Sequence, residues 1–486
     1  MEYSNRRTVR TLEAFHVKEA PMPSPIRSRP GLTQVATCLG FVVVLIDVSV
    51  VNVALDALRL AFGANVLDLQ WVVNAYGLVF ASSLLLAGAL GDRFGAKRVF
   101  MAGFALFSLA SVGCGLATSL AALIGWRVVQ GLGAALLVPT SLSLLRQVFE
   151  DPVARSRAIG WWGAGGGIAL AAGPVLGGVL IESLGWRSIF LINLPIGLIG
   201  LWLTARHAPA SVAQHERSLD LPGQVTGVLA LGTLTLALTE ATELGWSSPT
   251  VLGVMGLCIA FSGAFLWLEA RNPDAMLPLE LFRDRTVSST TAIGLIINLV
   301  FYGMVFTFSL LFQSIWQLTP QRTGLAFLPM MAVLMLMNIL AGRLAERLSE
   351  RVLVMAGLTV SACGYALMLP ALAAQSYTLL VVPMLLAGSG IALVIPTITQ
   401  AVLTAVPANR AGVASGLLNA ARQVGGVMGV ALFGGLVRHS QPALFMLGME
   451  QALIACVVLL AVSIVTGFLG LKKNPAQRLA NHRARA

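Results

Sequence analysis

Long apolar stretches, each about twenty residues and broken by short polar gaps, recur along almost the whole chain. Fourteen can be read, at 33–55, 68–90, 99–119, 121–145, 157–181, 188–205, 222–241, 250–269, 288–312, 324–345, 352–373, 377–404, 411–436 and 447–470. Lipid offers no partner for backbone N–H and C=O groups, so runs of this length are expected to be helices that satisfy their own hydrogen bonds. The pattern predicts an all-α membrane protein.

Composition agrees. Of 486 residues, 57% are hydrophobic and only 11% charged, too little polar material to cover a soluble protein of this size. Residues 1–30 and 472–486 are polar and read as tails; the first lacks the apolar core of a signal peptide. The five cysteines, Cys38, Cys114, Cys258, Cys363 and Cys456, fall singly within spans and are expected to be buried inert thiols.

The net charge of +11 would suit a nucleic-acid binder if it were clustered, but its distribution follows the spans. With the N-terminus inside, 26 of the 32 lysines and arginines fall in cytoplasmic segments. Four lie outside, at Arg59, Arg187, Arg322 and Arg438, while Arg127 and Arg422 lie within spans. This is the positive-inside bias, and it puts both termini in the cytoplasm.

The chain also repeats itself. In "GALGDRFGAKRVF" (88–100), Gly88, Leu90, Asp92 and Arg93 align with Gly342, Leu344, Glu346 and Arg347 of "GRLAERLSERVL". Further on, Gly131, Gly133, Pro139 and Thr140 align with Gly388, Gly390, Pro396 and Thr397. The expected organisation is a six-helix bundle at 31–206, an inserted helix pair at 207–287 and a second six-helix bundle at 288–471. Duplicated helical halves with a site between them are a transporter architecture.

The alignment isolates residues that the fold does not require. Asp47 in span 1 faces Phe301 in the repeat, and Arg127 in span 4 faces Met384. A charge at mid-helix costs about 2.5–3.5 kcal/mol on insertion scales, so this pair is expected to be functional, to lock spans 1 and 4 together, or both. Asp47 is the group expected to exchange protons; one charge moving down 100 mV yields about 2.3 kcal/mol. Glu240 and Glu243, near the outer end of span 7, read as interfacial, and the role of Arg422 stays open.

Several motifs resemble those of the major facilitator superfamily, in particular its fourteen-span drug:proton antiporters. G-x-L-x-D-R-x-G-x-K at 88–97 resembles the cytoplasmic signature between spans 2 and 3, with Gly88, Asp92, Arg93, Gly95 and Lys97 in place and Ala96 where a basic residue is usual. "RVVQGLGAALLVP" (127–139) is similar to the span-4 signature and "LIDVSVVNVAL" (45–55) to that of span 1. "GIALAAGPVLGGVL" (167–180) resembles the span-5 antiporter signature through Gly173, Pro174, Gly177 and Gly178, though Ala169 replaces a frequent glycine. Within that group the chain resembles methylenomycin-type antibiotic exporters.

The resemblance implies a major facilitator fold of two pseudo-symmetric six-helix bundles plus two inserted helices. It further implies proton-coupled export of hydrophobic, often cationic small molecules by alternating access, in the bacterial plasma membrane, by a monomer without cofactor. Independently of it, Gly88, Gly91 and Gly95 are expected to allow a short inner turn and close helix contact. The small residues around Pro174 are expected to allow a kink and close packing. A cavity for such cargo needs a few polar or aromatic anchors among apolar walls. Asn52, Asn74, Tyr76, Trp161, Asn298, Tyr302, Phe306 and Asn419 are the candidates, with Asn193, Gln313, Trp316 and Asn338 behind them.

Two other uses of the same fold stay open: export of an endogenous metabolite, and uptake by symport. An intramembrane transferase is disfavoured because His16, His207, His215, His439 and His482 all fall in tails or loops, with no metal motif in a span. An ATP-driven pump would need a phosphate-binding loop that does not occur.

Overall fold

The computed structural model describes residues 29–210, 220–272, 275, 277–345, 347–407, 410–439 and 441–471. The two predicted tails fall almost wholly outside these residues, as does Glu346, the repeat partner of Asp92. All regular elements among the described residues are helical. The first part holds α1 (Pro30–Val53), α2 (Leu55–Phe62), α3 (Val66–Phe94), α4 (Ala96–Gly115), α5 (Leu120–Val148), α6 (Pro152–Leu184), α7 (Ser188–Leu191) and α8 (Asn193–His207). Then come α9 (Leu221–Leu244) and α10 (Pro249–Arg271), followed by α11 (Arg285–Leu310), α12 (Pro320–Ala345), α13 (Glu350–Ala373), α14 (Tyr377–Ala405), α15 (Ala411–Leu436) and α16 (Pro442–Gly470).

Thirteen helical stretches, with α7 and α8 taken together as Ser188–His207, are long and apolar enough to cross a membrane among the described residues. The fourteenth, α15, is 26 residues long and carries Asn419, Arg422 and Gln423 along its middle. The helices start where a short polar side chain can hold a free backbone N–H: Asn65 on Asp68, Ser119 on Ala122, Asp151 on Ala154, Asp284 on Thr286. Two predicted spans are broken. Span 1 stops at Val53, and the chain turns into α2, whose Arg59 pairs with Asp56 at 2.9 Å. Span 6 is interrupted at Ile192, between α7 and α8.

The repeat is visible in the packing. In the first half α4 packs on α5, α3 on α5, α1 on α6 and α8, and α4 on α8. In the second half α13 packs on α14, α12 on α14, α11 on α15 and α16, and α13 on α16, which is the same set of neighbours. The aligned glycines explain why this is legible in sequence. A side chain at Gly133 would meet the Phe107 backbone nitrogen at 2.7 Å, and one at Gly390 would meet that of Ser361 at 2.5 Å. Both positions admit no side chain, because two helices touch there backbone to backbone.

The halves join through α3 against α15 and α6 against α12. Hydrogen bonds between them gather at the outer end: the Ser309 hydroxyl donates to the Asn52 carbonyl, the Asp56 N–H to Gln313 Oε1 (3.3 Å), and Gln70 Nε2 to the Val430 and Ala431 carbonyls (3.1 and 3.2 Å). Beyond α11 the chain widens into a π-helical turn, Leu311–Ile315, which carries Gln313 to this seam. The inserted α9 lies against α3 and α15 and is anchored by Gln224 donating to the Ser82 carbonyl at 2.8 Å. By contrast α10 packs on α9 and leaves nearly all of its surface outward. Of the cysteines, Cys114 and Cys456 are buried, but Cys363 is exposed on the lipid-facing side of α13.

Candidate functional site

Asp47 and Arg127 come together. Both are 1% exposed, and Arg127 Nη1 donates to Asp47 Oδ2 at 2.5 Å. The helices supply every remaining partner. Arg127 Nε donates to the Val72 carbonyl of α3 (3.1 Å), and its Nη1 also reaches Gln130 Oε1 one turn along α5 (2.8 Å). Gln130 Nε2 donates to Asp47 Oδ1 and to Ser111 Oγ of α4, both at 2.8 Å. Asn193 Nδ2, at the start of α8, reaches Asp47 Oδ1 (3.3 Å) and Ser111 Oγ (3.2 Å). The Tyr76 ring lies 4.2 Å from the guanidinium carbon. Five helices thus share one ionic network, and each carboxylate oxygen accepts at least one bond, the condition under which a buried pair is tolerated.

In the second half the equivalent positions carry no charge: Phe301 and Met384 are buried apolar side chains. The sequence reading missed Gln130 and Ser111 as members of the network. Gln130 was visible as the fourth residue of the motif beginning at Arg127, one turn away on the same face, which is the available signal.

Two chambers with lining residues in common lie between the halves, and Arg127 lines one of them. The larger holds about 500 Å³ of atom-free space, and its lining includes Asn52, Asn74, Tyr76 and Arg127 from the first half and Tyr302, Gln423 and Gly426 from the second. The smaller, about 280 Å³, shares Asn52 and Tyr302 and extends to Ser49, Pro174, Phe301 and Phe327. Both amide atoms of Asn74 and the Tyr76 hydroxyl are buried without a partner among the described residues, so they offer polar handles beside apolar walls. No aspartate or glutamate lines either chamber.

Residues 37–430 match the family model of the Major Facilitator Superfamily. The chain belongs to that superfamily. It is 38% identical over 406 residues to the multidrug resistance protein Stp of Mycobacterium tuberculosis (strain H37Rv), covering 84% of this chain and 75% of that one. It is 35% identical over 448 residues to the methylenomycin A resistance protein of Bacillus subtilis (strain 168), covering 90% and 96%. The crystal structure of a bacterial homolog to the human lysosomal transporter Spinster, inward-facing and unoccupied, shares the fold at a TM-score of 0.66 with 18% identity, over 92% of this chain and 98% of that one. This facilitator is a multi-pass transporter of the bacterial plasma membrane and not an enzyme.

The other sequence candidates of this facilitator sort themselves by place. Asn52, Asn74, Tyr76 and Tyr302 line the chambers. Asn298 and Asn419 gather around Arg422, just inward of them. Phe306 is fully buried against Gln70 and Gly434 at the outer seam and lines neither chamber. Trp161 is 64% exposed on the outer surface of α6 and is no part of a cavity. Its neighbour Trp162 turns inward instead, stacks on Phe41 at 3.7 Å and donates to Ser141 Oγ at 3.0 Å. Of the residues held behind these, Asn338 is also exposed, and Gln313 belongs to the seam. Glu240 is partly buried in α9, and the side chain of Glu243 is outside the description.

In the inner loop motif, Gly95 adopts a φ of +91°, which lets α3 pass into α4 through a single residue. Gly91 packs on Thr140, but a side chain at Gly88 would meet open space, so the expectation of close contact there fails for this arrangement. Lys97 Nζ donates to the Ala205 and Ala208 carbonyls (3.0 and 2.7 Å) and so caps the inner end of α8. Asp92 is partly buried in the last turn of α3, and the Arg93 guanidinium lies 5.7 Å from the Phe94 ring centre. On α6, Gly173 and Gly177 lie against Ser49 and Val50 of α1, while Gly178 lies against the backbone of Pro320 and Gln321 on the other half. Pro174 sits within an unbroken helix, and its carbonyl faces Gly324 of α12.

Proposed function

We propose that this chain exports hydrophobic small molecules from the cell, using the inward movement of protons through Asp47. The observation that carries this is the buried Asp47–Arg127–Gln130 network, present in one half only and bordering a chamber that both halves line. The similarity to proteins named for multidrug and methylenomycin A resistance supports drug-like cargo.

The chemistry follows from the bonds. Protonation of Asp47 removes the charge-assisted bond to Arg127, while Gln130 and Asn193 can still hold the carboxyl in place. Arg127 keeps its bonds to the Val72 carbonyl and Gln130, so the loss falls on the contact between α1 and α5. In the same half α1 carries Asn52, whose carbonyl is bonded to Ser309 across the outer seam. A change in how α1 sits against α5 therefore bears on the seam that must open for release. The close face of α6 against α12, at Gly178 and Gly324, supplies a surface without side-chain interlocking along which the halves can rock.

Inverted vesicles carrying the protein, loaded with an imposed proton gradient, test this directly. Wild type is expected to accumulate a lipophilic drug in an uncoupler-sensitive way; one charge falling through 100 mV supports about fiftyfold accumulation. Asp47→Asn is expected to bring the drug only to equal concentrations on both sides. Undiminished gradient-driven accumulation by Asp47→Asn would remove Asp47 from the coupling.

A further inference from the structure

Arg422 is a second arginine within a span, and no carboxylate reaches it among the described residues. Its side-chain stem lies over Gly294 of α11, where an added Cβ would meet Arg422 Cγ at 3.2 Å. Its head points along α11: Nε donates to Asn298 Oδ1 and Nη1 to Asn419 Oδ1, both at 3.4 Å. These are long bonds to neutral oxygens, and neither offsets the charge.

Asn298 sharpens the point. It is 2% exposed, and its Nδ2 is buried with no acceptor. Because a guanidinium only donates, the amide must turn its oxygen to Arg422, which leaves the amide N–H group without a partner beside it. The site therefore presents buried donors in excess, next to an uncompensated positive charge. Asn298 and Arg422 lie one helical turn inward of Tyr302 and Gly426, and those two line the larger chamber together with Gln423. A molecule entering from the cytoplasm meets Arg422 before it reaches Asn74 and Tyr76.

We propose that Arg422, Asn298 and Asn419 form an anion subsite that takes the carboxylate of an otherwise apolar substrate. A planar carboxylate accepts two parallel bonds from a guanidinium, and one of its oxygens can serve the free Asn298 amide. The apolar remainder of the substrate then lies outward along Tyr302 and Gly426. Arg422 stands eleven residues into α15, about 16 Å along the helix from its inner end, so a lipid headgroup at the membrane surface does not reach it. The substrate class rests on the export reading above, but the subsite stands on its own geometry.

Binding of 2-naphthoate and of its neutral isostere 2-naphthamide to the purified full chain in phosphatidylcholine nanodiscs is the test. Wild type is expected to prefer naphthoate by roughly tenfold or more, the worth of one charge-assisted contact. Arg422→Gln is expected to bring that ratio close to one, and Arg422→Lys to restore part of it. A ratio near one in wild type, or one unchanged in Arg422→Gln, overturns the proposal; the wild-type ratio decides even if the variant does not fold. If phosphatidylglycerol nanodiscs abolish the naphthoate preference, the occupant is a lipid phosphate and the substrate assignment falls. Tight naphthoate binding without gradient-driven transport would leave the subsite standing and count against the export reading instead.

Discussion

Asp47 and Arg127 are worth more as a pair than either is alone. Removing Arg127 leaves a buried carboxylate without its counter-charge, a change that costs about 3–5 kcal/mol in buried pairs. Arg127→Met is therefore expected to unfold at a clearly lower temperature than wild type. The double variant Asp47→Asn/Arg127→Met is expected to recover much of the loss, because both charges are gone. Thermal unfolding in detergent reads this, and equal midpoints for single and double variants would mean that the pair is not coupled. The pair itself was legible in sequence because a duplicated fold showed which charges it could do without. The direction of an aromatic residue was not legible: Trp161 and Trp162 are adjacent, and only the 100° step between them on α6 put one against Phe41 and the other against lipid.

At the scale of elements, α6 is the helix of the first half that touches both α1 and, across the divide, α12. It meets α1 through Gly173 and Gly177 and α12 through Gly178, and α12 returns the contact through Gly324. A Cβ at Gly178 would lie 2.7 Å from Gln321 Cα, and one at Gly324 would lie 3.0 Å from Val175 Cα, so neither can be added without separating the backbones. Gly178→Val and Gly324→Val are expected to force the outer end open. Spin labels at Glu182 and Arg322, both exposed, should report a mean separation several ångström larger than in the parent. An unchanged distance would show that α6 and α12 do not form the outer closure. The glycine-rich face of α6 was apparent from its composition, but which helices it would meet was not. Small residues permit close approach to any neighbour, and the choice of α1 on one side and α12 on the other belongs to the packing of the whole bundle.

For the whole molecule, orientation rests on the placement of basic residues. Arg283 lies on the inner side just before α11, and Arg322 at the start of α12 on the outer side. In a background without the five native cysteines, a membrane-impermeant maleimide applied to intact cells is expected to label Arg322→Cys and spare Arg283→Cys. The reverse pattern would invert the topology and, with it, the direction of export. The same scale explains the place of α9 and α10. Because α9 touches both α3 and α15, it bridges the halves at one flank, while α10 packs on α9 and leaves nearly all of its surface to lipid.

Hydropathy alone determined that the chain crosses a membrane as helices, since the absence of backbone partners in lipid allows little else. The internal repeat determined the two halves, and charge placement determined their orientation. Helix ends came out within a few residues, except where span 1 gives way to α2 after Val53 or span 6 breaks at Ile192, which hydropathy does not register. Tertiary structure decided what the polar residues do. Gln130, Ser111 and Asn193 belong to one network because five helices converge on Asp47. Gln70 and Gln313 belong to the outer seam because the halves meet there. Asn298 has a spare donor because Arg422 claims its oxygen. A sequence shows that a polar side chain stands in a membrane helix, but the partner that satisfies it sits on another helix, and only the fold says which one.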